Sequence, residues 1–197
     1  MRAYYARRAP EYDDWWLGTG VFAKRDRPGW NAEVEQLVRV LEDLPAARTL
    51  DVACGTAFLT RHLRGEVTAL DQSNEMLEIA APRLPDARLI QAEAVPLPFP
   101  DRAFERLFTS HFYGHLLAGE REPFLGEAKR VAAELIVVDS ALRPGGKSSE
   151  WQARTLTDGS KHRVFKRWFT ADGLRDELGG GETLHAGEWF VAVRYPR

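Results

Sequence analysis

Residues Leu50–Leu59 read LDVACGTAFL, an apolar run with an acid inside it that breaks into small residues. That pattern predicts a buried strand over Thr49–Ala53, a tight turn over Cys54–Ala57 and a helix through Leu63. In an open α/β sheet a ligand sits beyond the carboxyl ends of the strands, where the strand order reverses. The turn is therefore a candidate cradle, because backbone N–H groups can approach a ligand closely only where side chains are minimal. Ala53, Gly55 and Ala57 are the smallest residues in it, and only Gly55 takes a positive φ cheaply. The dinucleotide fingerprint does not fit: its sixth position, counted from Ala53, falls on Phe58, whose ring obstructs a pyrophosphate. NAD and FAD are disfavoured.

The same alternation continues on both sides of the loop. Upstream, Val34, Leu37, Val38, Leu41 and Leu44 recur at helical spacing, with Asn31 as the expected N-cap and Pro45 beyond the end. Downstream come a strand at Val67–Leu70 ending on Asp71, a helix at Ser73–Leu84 capped by Ser73, and strands at Ala87–Ala92 and Arg106–Ser110. A helix over Glu120–Ala132 and a strand over Glu134–Leu142 complete the series. Strands alternating with helices imply a mostly parallel sheet covered on both faces. After Leu142 the pattern changes to a hairpin, with Glu150–Leu156 and Lys161–Trp168 flanking TDGS, then a helix from Thr170 to Leu178, a GGG stop, and two strands around Ala186 and Gly187.

Asp51 and Asp71 lie twenty residues apart, the interval at which a carboxylate ending the second strand can accept hydrogen bonds from both hydroxyls of a ribose. With LDVACGTAFL, then ALDQSNEML, then QAEAVPLPFPDRAFERLFTS, the chain resembles a class I S-adenosylmethionine-dependent methyltransferase, strongly over Thr49–His115 and elsewhere by the order of elements. The resemblance implies a Rossmann-like seven-stranded sheet whose last strand, supplied by WFVAVRYP, runs antiparallel, plus the inserted hairpin. It implies S-adenosylmethionine as cofactor and S-adenosylhomocysteine as product. Asp51, Ala53, Cys54 and Gly55 would face the methionine part and ribose, and Asp71 the ribose hydroxyls. Gln72 and Met76 would border the adenine, with Ala92, Glu93, Ala94 and Ser110 completing the pocket. The sequence departs from the family pattern at Ala53 and Ala57, where glycine is usual, and at Glu93, where aspartate is usual; Ala57 is the more consequential of the two alanines.

Methyl transfer is an in-line displacement that chiefly requires alignment and exclusion of water. His111 and His115, just past the fourth strand, are the candidate general bases for a hydroxyl or thiol acceptor. The leader is dense in aromatics, and Tyr5, Tyr12 and Trp30 are its candidate lid residues, able to face a sulfonium by cation–π contact; packing of these rings against the first helix is the alternative. Between Ala141 and Trp168 stand seven basic residues against two acidic ones. That excess, interleaved with Trp151, Phe165 and Trp168, suits a small anionic acceptor, and RNA less well; a solvated strand edge is the bland reading.

The chain has 197 residues, with 44% hydrophobic, 28% charged and a formal net charge of −2, which fits one globular unit without global attraction to nucleic acid or membranes. That unit divides into an aromatic lid (1–30), a cofactor-binding core (31–142), a substrate-side hairpin (143–168) and a C-terminal helix with strands (169–197). A single cysteine, Cys54, no metal-ligand spacing, no apolar stretch of bilayer length and an N-terminal segment without a secretory h-region point to a cytoplasmic protein. Three functions stay open: methylation of a small molecule, methylation of RNA or protein, and cofactor binding without turnover.

Overall fold

The computed structural model describes residues 2–196. Its centre is a seven-stranded sheet formed by β1 (Thr49–Val52), β2 (Val67–Asp71), β3 (Arg88–Gln91), β4 (Phe104–Ser110), β5 (Ala132–Ser140), β8 (Glu182–Ala186) and β9 (Phe190–Pro196), in the order β3-β2-β1-β4-β5-β9-β8. The five strands from β3 to β5 are mutually parallel, and β9 pairs antiparallel with both β5 and β8. The order reverses between β1 and β4, so the loop after β1 opens at the switch point.

Both faces of the central strands are buried, which is why they read as continuous apolar runs rather than alternating ones. Leu135, Val137, Val191 and Val193 point to one face, with Phe124 and Ala128 of α5 (Ala118–Val131) and Leu174 and Leu178 of α6 (Ala171–Leu178). Ile136, Val138, Phe190 and Ala192 point to the other, with Leu37 and Leu41 of α3 (Trp30–Glu42). Glu33 in the first turn of α3 ties the two ends of the chain together: its buried carboxylate accepts from the backbone N–H groups of Glu188, Trp189 and Phe190.

Two expected helix boundaries differ. Asn31 is not the N-cap of α3; Gly29, at φ 74°, turns the chain and the helix starts at Trp30 with no side-chain cap. The helix expected after the first loop shrinks to a 3-10 turn over Thr60–His62, because Ala57 is left-handed on one side and Gly65, at φ 100°, closes the segment on the other. Ser73 and Thr170 do cap their helices, α4 (Asn74–Ala80) and α6, by accepting from Met76 N and Gly173 N.

The leader is ordered: α1 (Arg2–Arg8), a 3-10 turn, α2 (Asp14–Leu17) and a second 3-10 turn precede α3. Asp13 clamps it onto the loop after β1, accepting from Thr56 Oγ1 at 2.5 Å and pairing with Arg83 at 2.6 Å. The hairpin, β6 (Ser149–Thr155) with β7 (Lys161–Arg167), forms a separate two-stranded sheet. Leu156 and Val164 pack on Tyr4 of α1, so leader and hairpin meet over the carboxyl ends of the parallel strands.

Candidate active site

Two cavities open at that edge. The first, of about 410 Å³, runs past the ends of β1 to β4. Ala53, Gly55, Asp71, Gln72, Met76, Ala92, Glu93, Ala94 and Ser110 line it, and Tyr5 and Tyr12 cover it from the leader. These residues span more than 100 positions of sequence and converge because each parallel strand ends at the same edge. Asp71 organises this wall. Its two carboxylate oxygens accept from Gly55 N and Ser73 N, both at 2.9 Å, so the cradle loop and the start of α4 hang on one side chain. Burial pushes its carboxyl above the ordinary value, against the pull of those N–H groups.

Three expected residues sit elsewhere. Asp51 lies beneath the loop rather than on the cavity wall, 1% exposed, with Oδ2 accepting from Thr60 Oγ1 at 2.5 Å and Oδ1 buried without a partner. Burial drives its carboxyl well above the usual range. Cys54 turns its thiol into the small cluster formed by Ala57, Ala69 and Leu77 under α4. Trp30 is 5% exposed, donates from Nε1 to Trp16 O at 2.8 Å, and edges the second cavity but not the first. The leader aromatics therefore divide: Tyr5 and Tyr12 cover the cavity, whereas Trp16 stacks on Phe58 at 4.7 Å in the core.

The two alanines of the loop also divide. Both are left-handed, Ala53 at φ 61° and Ala57 at φ 62°. Ala57 is fully buried and its methyl packs in the α4 cluster, away from the cavity, so Ala53 alone can narrow the pocket. A left-handed alanine costs roughly 1–2 kcal/mol, and a buried methyl contributes about 0.8 kcal/mol. Ala53→Gly should therefore stabilise the fold by about 1 kcal/mol in urea denaturation, while Ala57→Gly, losing its packed methyl, should change little. Equal effects of the two would contradict this division.

The second cavity, of about 770 Å³, lies between leader, hairpin and β5. It shares Tyr5, Tyr12, His111 and His115 with the first, so these four residues form the seam between the two spaces. His111, at φ 52°, packs edge-on against Trp15 and Trp16 at 4.6 and 4.9 Å, its Nδ1 3.4 Å from Ser140 Oγ and its Nε2 buried without a partner. His115 donates from Nδ1 to Phe165 O at 2.5 Å, which leaves Nε2 as its lone-pair nitrogen.

Burial lowers the His111 pKa to about 3 and pulls His115 well below its ordinary value, Lys166 and Arg154 adding to the second effect. Both shifts run away from the near-neutral pKa that proton abstraction rewards, which argues against the general-base role expected of either ring. Both rings stand at the seam as neutral polar walls. In ring-¹⁵N NMR they should stay neutral from pH 8 to pH 5, with His111 titrating near pH 3; a midpoint near 6.5 for either would restore it as a base.

A model of the family described as a methyltransferase domain matches residues 50–134. The solved structure described as a DhpI-SAM-HEP complex matches over 98% of this chain and 95% of that one, with 25% identity and a TM-score of 0.78. Residues 50–134 thus match a methyltransferase domain, and nearly the whole chain shares the fold of structures solved with S-adenosylmethionine or S-adenosylhomocysteine. The DhpI-SAH complex aligns at 26% identity and a TM-score of 0.76 over 98% of this chain and 94% of that one. Among curated proteins, the demethylmenaquinone methyltransferase of Thermotoga maritima is 34% identical over 49% of this chain and 44% of its own length. That of Renibacterium salmoninarum is 32% identical over 71% and 52%. The chain thus spans about half the length of these curated relatives. Among the described residues, no cluster of His, Cys, Asp and Glu could hold a metal ion and no helix is long and apolar enough to cross a membrane.

The leader's contribution to the second cavity was not legible in sequence. Arg8, Arg25 and Arg27 face the hairpin across it, far from the basic segment that attracted notice. Of the seven basic residues in that segment only Arg143, Arg154 and Lys166 line the cavity; Lys147 pairs with Glu150 of the wall, and Arg167 pairs with Glu177.

Proposed function

We propose that the protein transfers a methyl group from S-adenosylmethionine, held in the cavity beneath Tyr5 and Tyr12, to a small-molecule acceptor in the larger adjoining cavity. The observation that carries this reading is the seam: two cavities that meet only across Tyr5, Tyr12, His111 and His115. S-adenosylmethionine, when bound, supplies an electrophilic methyl on a positively charged sulfur.

The residues present suit that group. Asp71 would take the ribose hydroxyls, Gln72 and Met76 with Ala92–Ala94 would border the adenine, and the Ala53–Gly55 turn would lie against the methionine part. Asp51 Oδ1, orphaned under the loop and off the cavity wall, calls for a bridging water rather than a direct contact with the cofactor. Tyr5 and Tyr12 bring aromatic surface to the seam, and burial holds both phenols above their ordinary pKa, so they remain neutral. Leader and hairpin wall the larger cavity, and the leader overhangs the smaller one, which would limit the lines of approach to the methyl group.

Calorimetric titration with S-adenosylhomocysteine tests the reading: saturable binding at one site per chain is expected. No heat at millimolar ligand would end it. Binding without turnover of any acceptor would leave a cofactor-binding module.

A further inference from the structure

Resting on that reading of the site, we infer that the methyl acceptor is a compact oxyanion, gripped by Arg8, Arg25, Arg27, Arg143 and Arg154 and methylated on an oxygen that arrives already ionised.

All five guanidiniums line the larger cavity, and among the described residues none has a carboxylate within salt-bridge distance. The one carboxylate on the wall, Glu150, lies 3.5 Å from Lys147. The sixth cation, Lys166, is already matched by Asp139 at 2.5 Å. Five like charges gathered on the wall of one cavity repel one another, and an anion that enters it relieves that repulsion.

The arginines are also preset for a planar or tetrahedral acid. Aromatic rings hold their faces: Arg27 lies 3.9 Å over Trp30, Arg143 4.5 Å over Trp189 and Arg25 4.7 Å over Phe22. Arg8, 5% exposed, is held among Tyr4, Tyr12 and Phe22, and its Nε has no partner. Arg154 is steadied by Tyr4 Oη and Gln152 Oε1 at 3.2 and 3.0 Å. Arg27 Nη1 donates to Trp15 O at 2.8 Å, which also fixes that side chain, and the remaining N–H groups of the set suit the paired oxygens of carboxylate or phosphate. Burial lowers the pKa of Arg25 and of Arg27, and the neighbouring arginines add to it, the mark of a cluster short of counter-charge.

The chemistry of the seam agrees. An ionised oxygen needs no proton removed: its lone pair forms the bond to the methyl carbon as the carbon–sulfur bond breaks, and that pair stays on sulfur. Neutral His111 and His115 then suffice as walls. The ester that forms carries one negative charge fewer than the acceptor, which loosens its hold on the arginines and favours release.

Inorganic pyrophosphate serves as probe, followed by calorimetry and thermal shift with and without S-adenosylhomocysteine. It should bind and raise the melting temperature, whereas glycerol should do neither. Arg143→Gln, at an exposed residue with no hydrogen bond of its own, and Arg154→Gln should each weaken pyrophosphate about tenfold and leave S-adenosylhomocysteine affinity within about twofold. Pyrophosphate that fails to bind a protein which does bind S-adenosylhomocysteine overturns the oxyanion site and spares the cofactor reading; the reverse result overturns the cofactor reading alone. Unchanged pyrophosphate affinity in both variants, or its displacement by a far tighter-binding single-stranded oligonucleotide, also overturns it.

Discussion

Asp71→Ala is expected to weaken S-adenosylhomocysteine binding by at least about 100-fold while the sheet remains intact. A hydrogen bond to a charged acceptor contributes about 1.5–3 kcal/mol, and two ribose hydroxyls on one carboxylate therefore bring roughly 3–6 kcal/mol, or two to four decades of affinity. The expected loss exceeds that direct share, because Asp71 also holds Gly55 N and Ser73 N. Without it the loop after β1 loses its anchor to β2 and the cradle relaxes. Asp71→Asn keeps one acceptor oxygen and should fall between wild type and alanine. Calorimetry measures the affinity, and far-UV circular dichroism with the urea midpoint separates lost binding from lost fold. Affinity of Asp71→Ala within threefold of wild type, in a folded protein, would sink the ribose assignment.

The reach of the sequence is clearest where structure depends on neighbours in the chain. The strands were legible because sheet burial on both faces leaves runs such as LIVVDS in β5, and Ser73 and Thr170 because capping is a three-residue affair. The first loop and nearly all of the residues from Ala53 to Ser110 that line the smaller cavity were legible as neighbours in space. Misplacements came where a distant contact decides. Cys54 was assigned to the cavity by its place in the loop, but a left-handed Ala53 turns its side chain under α4. Trp30 was assigned by aromatic density, but the leader buries it against Trp16 and Phe190. The cationic cavity needs Arg8 to Arg27 to face Arg143 to Lys166, a juxtaposition made by α1 packing on the hairpin, and no local periodicity encodes it.

That same edge of the sheet rests on one buried ion pair, and Asp139→Ala should destabilise the protein by about 3–5 kcal/mol, the cost of leaving a buried charge alone. Asp139 is wholly buried at the end of β5. Its Oδ1 accepts from Lys166 Nζ at 2.5 Å and from Ser140 N at 2.7 Å, and its Oδ2 from Gly114 N at 2.7 Å. Burial pushes its carboxyl up, but the Lys166 ammonium outweighs that and holds it below the ordinary value, while burial in turn lowers the pKa of Lys166. Gly114 must be glycine for this approach, since a Cβ there would meet the Asp139 oxygens at 2.9 Å and Arg167 O at 2.8 Å. Removing the carboxylate strands Lys166, frees two buried N–H groups and unties β7 from the turn that carries His115. In a chain of this size each kcal/mol moves the melting temperature by about 2–4 °C, so a drop of about 10 °C is expected, with the denaturant slope unchanged. Asp139→Leu combined with Lys166→Met removes both charges and should recover part of that loss, because the penalty belongs to the unpaired ion rather than to the missing bond. A double variant no more stable than Asp139→Ala would show instead that the carboxylate matters chiefly through the backbone of Gly114 and Ser140.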